Sequence, residues 1–267
     1  MGPGGAAGVL GDVDDSLPAE GGRLSILQAL GQEGGGEAAV QASCCDVWKA
    51  ATAVSRLDRS WTEELSRVAP LPTHLCRDLV VITAHPYEAV YGAGGLISYM
   101  AMQGADVEVL AVTDGDGAAP LQHPFRRRHI LTAYRRLGVP EVRRHRLHLE
   151  SGKVSDAQPD LIAAFSELVG HDCFPGLWCL APWRCDGHPD HNAVGLAAEA
   201  VCRTYNLRLV RYLCAAWEWV QPKDLPWRDV RQFTLSDSDR TRMNAAVALP
   251  PTIPGRDWVA DRELFLV

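Results

Sequence analysis

Residues 81–95 of this 267-residue chain read VITAHPYEAVYGAGG. The stretch begins with apolar, largely β-branched residues, which are typical of a strand buried on both faces of a parallel sheet. A histidine and a glutamate follow three residues apart, and a glycine-rich stretch then predicts a turn that opens a helix. Three interpretations are open: a metal site, a phosphate loop, or an ordinary strand-to-helix corner that contains a histidine.

Strand-like and helix-like segments alternate through the central part of the chain. The pattern predicts strands at 79–84, 107–113, 145–149, 177–181 and 207–213, and helices at 94–103, 126–137, 159–169 and 191–205. Strict alternation implies right-handed crossovers, and therefore a three-layer α/β fold with a mostly parallel sheet. In such sheets ligands bind beyond the carboxyl ends of the strands.

The two ends of the chain differ from this centre. Residues 1–40 are rich in glycine, alanine and acidic residues and predict a flexible N-terminal tail. Apolar residues at helical spacing between 46 and 68 predict an amphipathic helix that packs on the domain. We expect a single domain over 41–267, with a loop-rich part from about residue 217 that contains many prolines and aromatic residues.

Composition excludes several classes of protein. The net charge of −7 argues against a nucleic acid as partner, and the chain contains no run of about 18 apolar residues that would span a membrane. The N-terminus lacks the features of a secretion signal, and the eight cysteines form no CxxC pair. We therefore expect a cytoplasmic protein with reduced thiols. The basic run 126–129 has two interpretations, a solvated helix face or a contact with an anionic substrate group.

Two histidine-containing segments follow predicted strands of the same sheet. His85 and Glu88 are three residues apart after the first strand, and His188 and His191 have the same spacing before a helix. Two imidazoles and one carboxylate form a three-ligand set that leaves the fourth position of a zinc ion open for water, which is the chemistry of amide hydrolysis. The competing interpretation is that these are hydrogen-bonded loop histidines. A nucleotide site is disfavoured, because GAGG lacks the G-x-G-x-x-G order and the lysine of a P-loop.

At these residues the chain resembles the PIG-L/LmbE-like family of zinc-dependent deacetylases. The family motif A-H-P-D-D-E stands here as AHPYEA, H-P-D-H is intact at 188–191, and VTDGDGA matches the end of the second strand. The resemblance implies a Rossmann-like fold, Zn²⁺ as cofactor, and a small-molecule N-acylated amino-sugar conjugate as substrate. It also implies His85, Glu88 and His191 as metal ligands. His188 would stabilise the tetrahedral intermediate or protonate the leaving amine, and Asp190 would orient His188.

The first motif departs from the family pattern at three adjacent positions. Glu88 stands in place of a ligating aspartate, and Ala89 replaces the closing glutamate. Tyr87 occupies the position of the general base, although a phenol, with a pKa of about 10, is a poor base at neutral pH. The main prediction is a zinc-dependent N-deacetylase. The alternative is a degenerate family member without this activity that binds a sugar or a partner.

Overall fold

The computed structural model describes residues 59–115, 123–170, 173–218, 220–248 and 262–267. The predicted tail and most of the predicted helix after residue 46 lie outside these ranges. The strands are β1 Ala69–Pro70, β2 Asp78–Thr83, β3 Val107–Thr113, β4 Arg143–Leu149, β5 Leu177–Pro182, β6 Arg208–Tyr212, β7 Val230–Thr234 and β8 Arg262–Leu266. The helices are α1 Arg59–Leu65, α2 Glu88–Met102, α3 His123–Arg136, α4 Gln158–Gly170, α5 Pro189–Thr204 and α6 Asp237–Val247.

The strands form one mixed sheet in the order β1-β7-β8-β6-β5-β2-β3-β4. Neighbouring strands run parallel except that β8 is antiparallel to both β6 and β7. The predicted α/β class and mostly parallel sheet are therefore confirmed. No helix in the described part of the chain is long and apolar enough to cross a membrane.

Alternate residues of the central strand β2 pack into two different apolar layers. Leu79 and Val81 belong to the cluster that contains residues of α2, α3 and α6, whereas Val80 and Ile82 belong to the cluster with α4 and α5. Burial on both faces explains why this strand is apolar at every position from 79 to 82. The result is the predicted arrangement of a sheet between two helical layers.

The glycine-rich run lies at a kink inside α2. This helix begins at Glu88, six residues before the predicted start at 94, but Ala93 has non-helical backbone angles, and the segment 94–102 after it matches the predicted helix. A Cβ atom on Gly92 would lie 2.5 Å from Cδ2 of Tyr212, and one on Gly95 would lie 2.7 Å from Cδ2 of Leu235. These glycines let the helix approach β6 and the segment between β7 and α6 closely, which is a packing role.

The C-terminal part, for which the sequence predicted mainly loops, contains β7, α6 and β8 within its described residues. β8 inserts between β6 and β7 and carries Glu263, whose side chain is buried. The two carboxyl oxygens of Glu263 accept the backbone N–H groups of Gly95, at 2.7 Å, and Leu96, at 2.8 Å. The last strand is thereby hydrogen-bonded to the middle of α2.

Replacing Glu263 with glutamine is expected to change how stability depends on pH. Burial raises the pKa of Glu263 to about 8, the two N–H donors lower it, and the nearby Asp239, itself paired with Arg242, raises it. Between the ordinary pKa of 4.5 and about 8 the folded state retains a proton that the unfolded state has lost. The free energy of unfolding of the parent should therefore fall as the pH rises through this range. Relative to Glu263→Gln, the fall should be up to about 1.4 kcal/mol per pH unit. Urea unfolding across this range measures the difference, and parallel profiles would contradict it.

Candidate metal and catalytic site

Four segments of the chain converge beyond the carboxyl ends of the central strands. They are the turn after β2, the loop after β4, the loop after β5 and the first turn of α5, and they contribute His85, Glu88, Ser151, Gly152, Asp186, His188, Asp190 and His191. β5 and β2 are adjacent in the sheet, so their carboxyl ends lie side by side. The predicted convergence of the two histidine-containing segments at this edge is confirmed.

Glu88 lies between two imidazoles. Its Oε1 atom contacts Nδ1 of His85 and lies 2.5 Å from Nε2 of His191. Its other oxygen, Oε2, accepts the backbone N–H of Ala84 at 3.0 Å and faces the hydroxyl of Thr83 at 3.4 Å. The position of Glu88 in the first turn of α2 therefore directs one carboxylate oxygen toward both histidines and ties the other to the end of β2.

A second buried carboxylate, that of Asp186, fixes the opposite side of His191. Its Oδ2 atom lies 2.5 Å from Nδ1 of His191. The same carboxylate accepts three consecutive backbone N–H groups at 2.7–3.0 Å, those of Cys214, Ala215 and Ala216. Asp186 thus orients the ring so that Nε2 points toward Glu88. This is the carboxylate–histidine arrangement found behind many metal-ligating histidines.

A third buried carboxylate, that of Asp190, orients the ring of His85. Its Oδ2 atom lies 3.0 Å from Nε2 of His85, and Ser151 Oγ lies 3.0 Å from the same nitrogen. Asp190 also accepts the backbone N–H of Gly152 at 2.8 Å. The loop after β4 therefore helps to hold the ring of His85 with Nδ1 directed at Glu88.

His188 is the residue immediately before α5, and its side chain caps that helix. Its Nδ1 atom accepts the backbone N–H of Asp190 at 3.2 Å. A neutral imidazole that accepts at Nδ1 carries its proton on Nε2, so the ring can donate a hydrogen bond from Nε2. The ring stacks on His191 with centroids 4.5 Å apart and meets His85 edge-on at 5.0 Å. His188 therefore lies beside the two other imidazoles.

The charges of the cluster shift several pKa values. Burial would raise the pKa of Glu88, but the adjacent His191 and His85 hold it well below its ordinary value. Burial would lower the pKa of His191, but Glu88 and Asp186 raise it to about 9. Burial would likewise raise the pKa of Asp190, but the hydrogen bonds with His85 and Gly152 and the charges of His85 and His188 together outweigh this and lower it. The site is thus an acid-rich pocket in which buried positive charge is stabilised.

The donor atoms fit a divalent metal ion. One atom each from His85, His188 and His191 lie within 4.8 Å of one another, and Glu88 Oε1 is in contact with both His85 and His191. Imidazole nitrogens and a carboxylate oxygen are the usual ligands of zinc in hydrolytic sites. Two ligand sets are therefore compatible with the geometry: the predicted His85, Glu88 and His191, and a set in which His188 is also a ligand.

Two of the positions that depart from the family motif are buried beside this cluster. Tyr87 precedes α2, has a relative exposure of 9%, and belongs to the apolar cluster on the α2 side of the sheet. Its ring centroid lies 6.1 Å from that of Tyr91. Ala89 is fully buried in the same apolar cluster as Tyr87. Residue 87 is thus partly a core position in this chain.

Several contacts of the site were not predicted from the sequence. Asp186 and Arg184 lie just before the H-P-D-H motif: Asp186 braces His191, and Arg184 forms an ion pair with Glu199 at 3.3 Å. Asp190 was predicted to orient His188, and this role stays a prediction, whereas its carboxylate contact with His85 was not foreseen. Ser151 was also missed, because nothing in the sequence shows which loop residue reaches across the sheet.

The turn after β3 reaches the same edge of the sheet. Thr113 donates its backbone N–H to the carbonyl of Ala84 at 3.1 Å, and Asp114 pairs with Arg146 and His148 of β4. The remainder of the TDGDG segment, and the side chains of the basic run 126–128, lie outside the described residues.

Comparisons with known proteins agree with this architecture. The conserved protein TT1542 from Thermus thermophilus has 22% identity and a TM-score of 0.50, over 71% of this chain and 93% of that chain. The antimicrobial pseudoaglycone deacetylase Dbv21 has 19% identity and a TM-score of 0.51, over 64% of this chain and 79% of that chain. At these identities the similarity establishes the fold. No curated protein sequence is similar enough to count as a match.

A family model adds sequence evidence to the shared fold. The model of PIG-L, described as GlcNAc-PI de-N-acetylase, matches residues 80–202. This range runs from β2 almost to the end of α5 and includes all the residues of the cluster described above. The chain is thus similar to the PIG-L family over residues 80–202, slightly less than half of its length.

Proposed function

We propose that this protein is a zinc-dependent hydrolase that removes an acetyl group from a small-molecule N-acetylglucosaminyl-type conjugate. The observation that carries the proposal is the arrangement of three buried carboxylates, Glu88, Asp186 and Asp190, around the nitrogens of His85 and His191. Such a concentration of buried acid requires compensating positive charge, which a divalent cation provides. The PIG-L family match and the deacetylase named among the structural relatives point to the reaction.

The predicted ligands are His85, Glu88 and His191. A zinc ion held there would lower the pKa of bound water and polarise the acetyl carbonyl. Asp186 and Asp190 hold the two imidazoles in the orientation that turns His191 Nε2 and His85 Nδ1 toward Glu88. Both ligand rings are therefore positioned by carboxylates that are themselves fixed by backbone N–H groups.

His188 is proposed to act as a hydrogen-bond donor. Because its Nδ1 accepts from the backbone of Asp190, its Nε2 carries the proton in the neutral ring. A hydrogen-bond donor at this position can stabilise the oxyanion of the tetrahedral intermediate. Protonation of the leaving amine would need the imidazolium form, in which Nδ1 no longer accepts from Asp190, because loss of the Nε2 proton from the neutral ring would leave an imidazolate. The neutral tautomer makes His188 unsuitable as the base that accepts a proton from water, so His188 does not replace the missing aspartate at position 87.

The alternative function is a degenerate family member that binds a sugar or a partner without hydrolysing it. The specific observation that favours it is the burial of Tyr87 in the apolar cluster at the position of the general base. In this alternative the fold and the metal persist while turnover is absent.

Restoring aspartates at positions 87 and 88 distinguishes the two functions. Acetate release from N-acetylglucosaminyl compounds is measured for the parent and for the Tyr87→Asp/Glu88→Asp variant, each loaded with zinc. We expect slow release by the parent and an increase of about 10²–10⁴-fold in the variant, because a positioned general base contributes that much. His188→Ala in the variant background is the control and should abolish the gain. A folded, zinc-loaded double variant that releases no acetate from any of these compounds would favour the binding function.

A further inference from the structure

Helix α2 consists of two helical segments separated by a kink. Ala93 has φ −151° and ψ 18°, which are not helical values, and it divides residues 88–92 from residues 94–102. The first segment carries Glu88 and is only about one and a half turns long. So short a segment has little helical stability of its own, and its direction depends on what fixes the kink.

A kink in a helix creates a second helix start, with backbone N–H groups that have lost their partners. In an ordinary start, a serine, aspartate or similar side chain at the N-cap accepts the N–H groups of the second and third helical residues. Ala93 occupies the cap position of the second segment and has no oxygen in its side chain. Gly95 and Leu96 are the second and third residues of that segment, and their N–H groups donate to Glu263 at 2.7 and 2.8 Å.

Glu263 therefore caps the second helical segment in place of Ala93, whose side chain has no acceptor. It lies on β8, 167 residues beyond Leu96, and it is buried. The approach is close: a Cβ atom on Gly95 would lie 3.1 Å from Cδ of Glu263 and 2.7 Å from Cδ2 of Leu235. Glycine at position 95 and glutamate at position 263 thus form one packed unit at the kink.

We infer that Glu263 is a positioning residue that fixes the kink of α2 and thereby the placement of the Glu88 carboxylate between His85 and His191. The inference rests on the proposed function, in which Glu88 is a metal ligand. It extends the site to the last strand of the chain, which contributes no ligand.

The test compares Glu263→Ala, Glu263→Gln and Gly95→Ala with Val169→Ala. Val169 is fully buried in α4 in the other helical layer, so its truncation lowers stability without touching the kink. Zinc affinity is measured by titration calorimetry of the folded proteins, and thermal midpoints are recorded for all of them. We expect Glu263→Ala and Gly95→Ala to weaken zinc binding by about tenfold or more, as loss of supporting groups does in metal sites. Glu263→Gln keeps one acceptor oxygen and should retain more affinity, whereas Val169→Ala should match the parent.

A second readout needs no metal. The ring nitrogens of His85 and His191 that face Glu88 should give strongly shifted signals in histidine-selective NMR spectra of the parent. These signals should shift in Glu263→Ala and Gly95→Ala and stay in place in Val169→Ala. Unchanged zinc affinity and unchanged imidazole signals in a folded Glu263→Ala protein would overturn the inference. A parent that binds no zinc would overturn the proposed metal site instead, and the imidazole signals would still decide the role of Glu263.

Discussion

Replacement of Asp186 by alanine is expected to lower the free energy of unfolding by roughly 3–9 kcal/mol and to abolish zinc binding. The carboxylate is fully buried and accepts the backbone N–H groups of Cys214, Ala215 and Ala216. A buried donor left without a partner costs about 1–3 kcal/mol, and three lose their partner together. The ring of His191 also loses the group that orients it. Chemical denaturation and zinc titration measure the two effects.

Asp186→Asn separates these two effects. An asparagine can keep an oxygen where Oδ1 accepts from Cys214 and Ala216, but its NH₂ group then faces Nδ1 of His191. That group donates to Nδ1 and leaves the proton of the neutral ring on Nε2, where it blocks coordination. We expect much of the stability to survive in Asp186→Asn while zinc affinity falls by at least about 10–100-fold. Equal zinc affinity in Asp186→Asn and the parent would show that His191 does not bind metal through Nε2.

The second large effect concerns the two possible ligand sets. Glu88→Ala removes the oxygen that contacts both His85 and His191, and we expect the zinc content to fall to background. His188→Ala should retain the zinc and lose about 10²–10³-fold in the turnover number, because it removes a hydrogen-bond donor to the oxyanion and leaves the predicted ligands in place. Elemental analysis and acetate release, measured on the same preparations, distinguish the two variants.

The reverse pattern would contradict this assignment. A Glu88→Ala protein that keeps its zinc, together with a His188→Ala protein that loses it, would establish the three-histidine set. His145→Ala is a matched control, because His145 pairs with Glu108 on β3 and β4 away from the cluster. It should change neither the zinc content nor the turnover.

The central fold could be predicted because its signals are local. Apolar β-branched runs such as 79–84 and helical periodicities such as 159–169 lie within about two residues of the observed elements. The convergence of His85 with His191 follows from the rule that the ends of parallel strands share one edge of the sheet. Neither prediction needs information about distant contacts.

The features that were not predicted depend on long-range contacts. The first helical segment of α2, residues 88–92, was not predicted, and its Gly92 packs against Tyr212, 120 residues away in sequence. The strand that carries Glu263 was not predicted. It pairs with β6 and β7, which are distant in sequence, and local sequence does not show such pairing. The roles of Asp186 and Asp190 as supports for imidazoles depend likewise on where loops meet. The sequence motifs thus led to the candidate ligands but not to the carboxylates that hold them.

The most direct test is the zinc content of the purified parent protein at neutral pH without chelator, determined by elemental mass spectrometry. The proposed site predicts about one zinc per chain, because one set of donors surrounds one position. The same preparation of His191→Ala should contain none. A parent chain that contains no metal, even after zinc has been supplied and excess removed, would contradict the account of the cluster as a hydrolytic metal site.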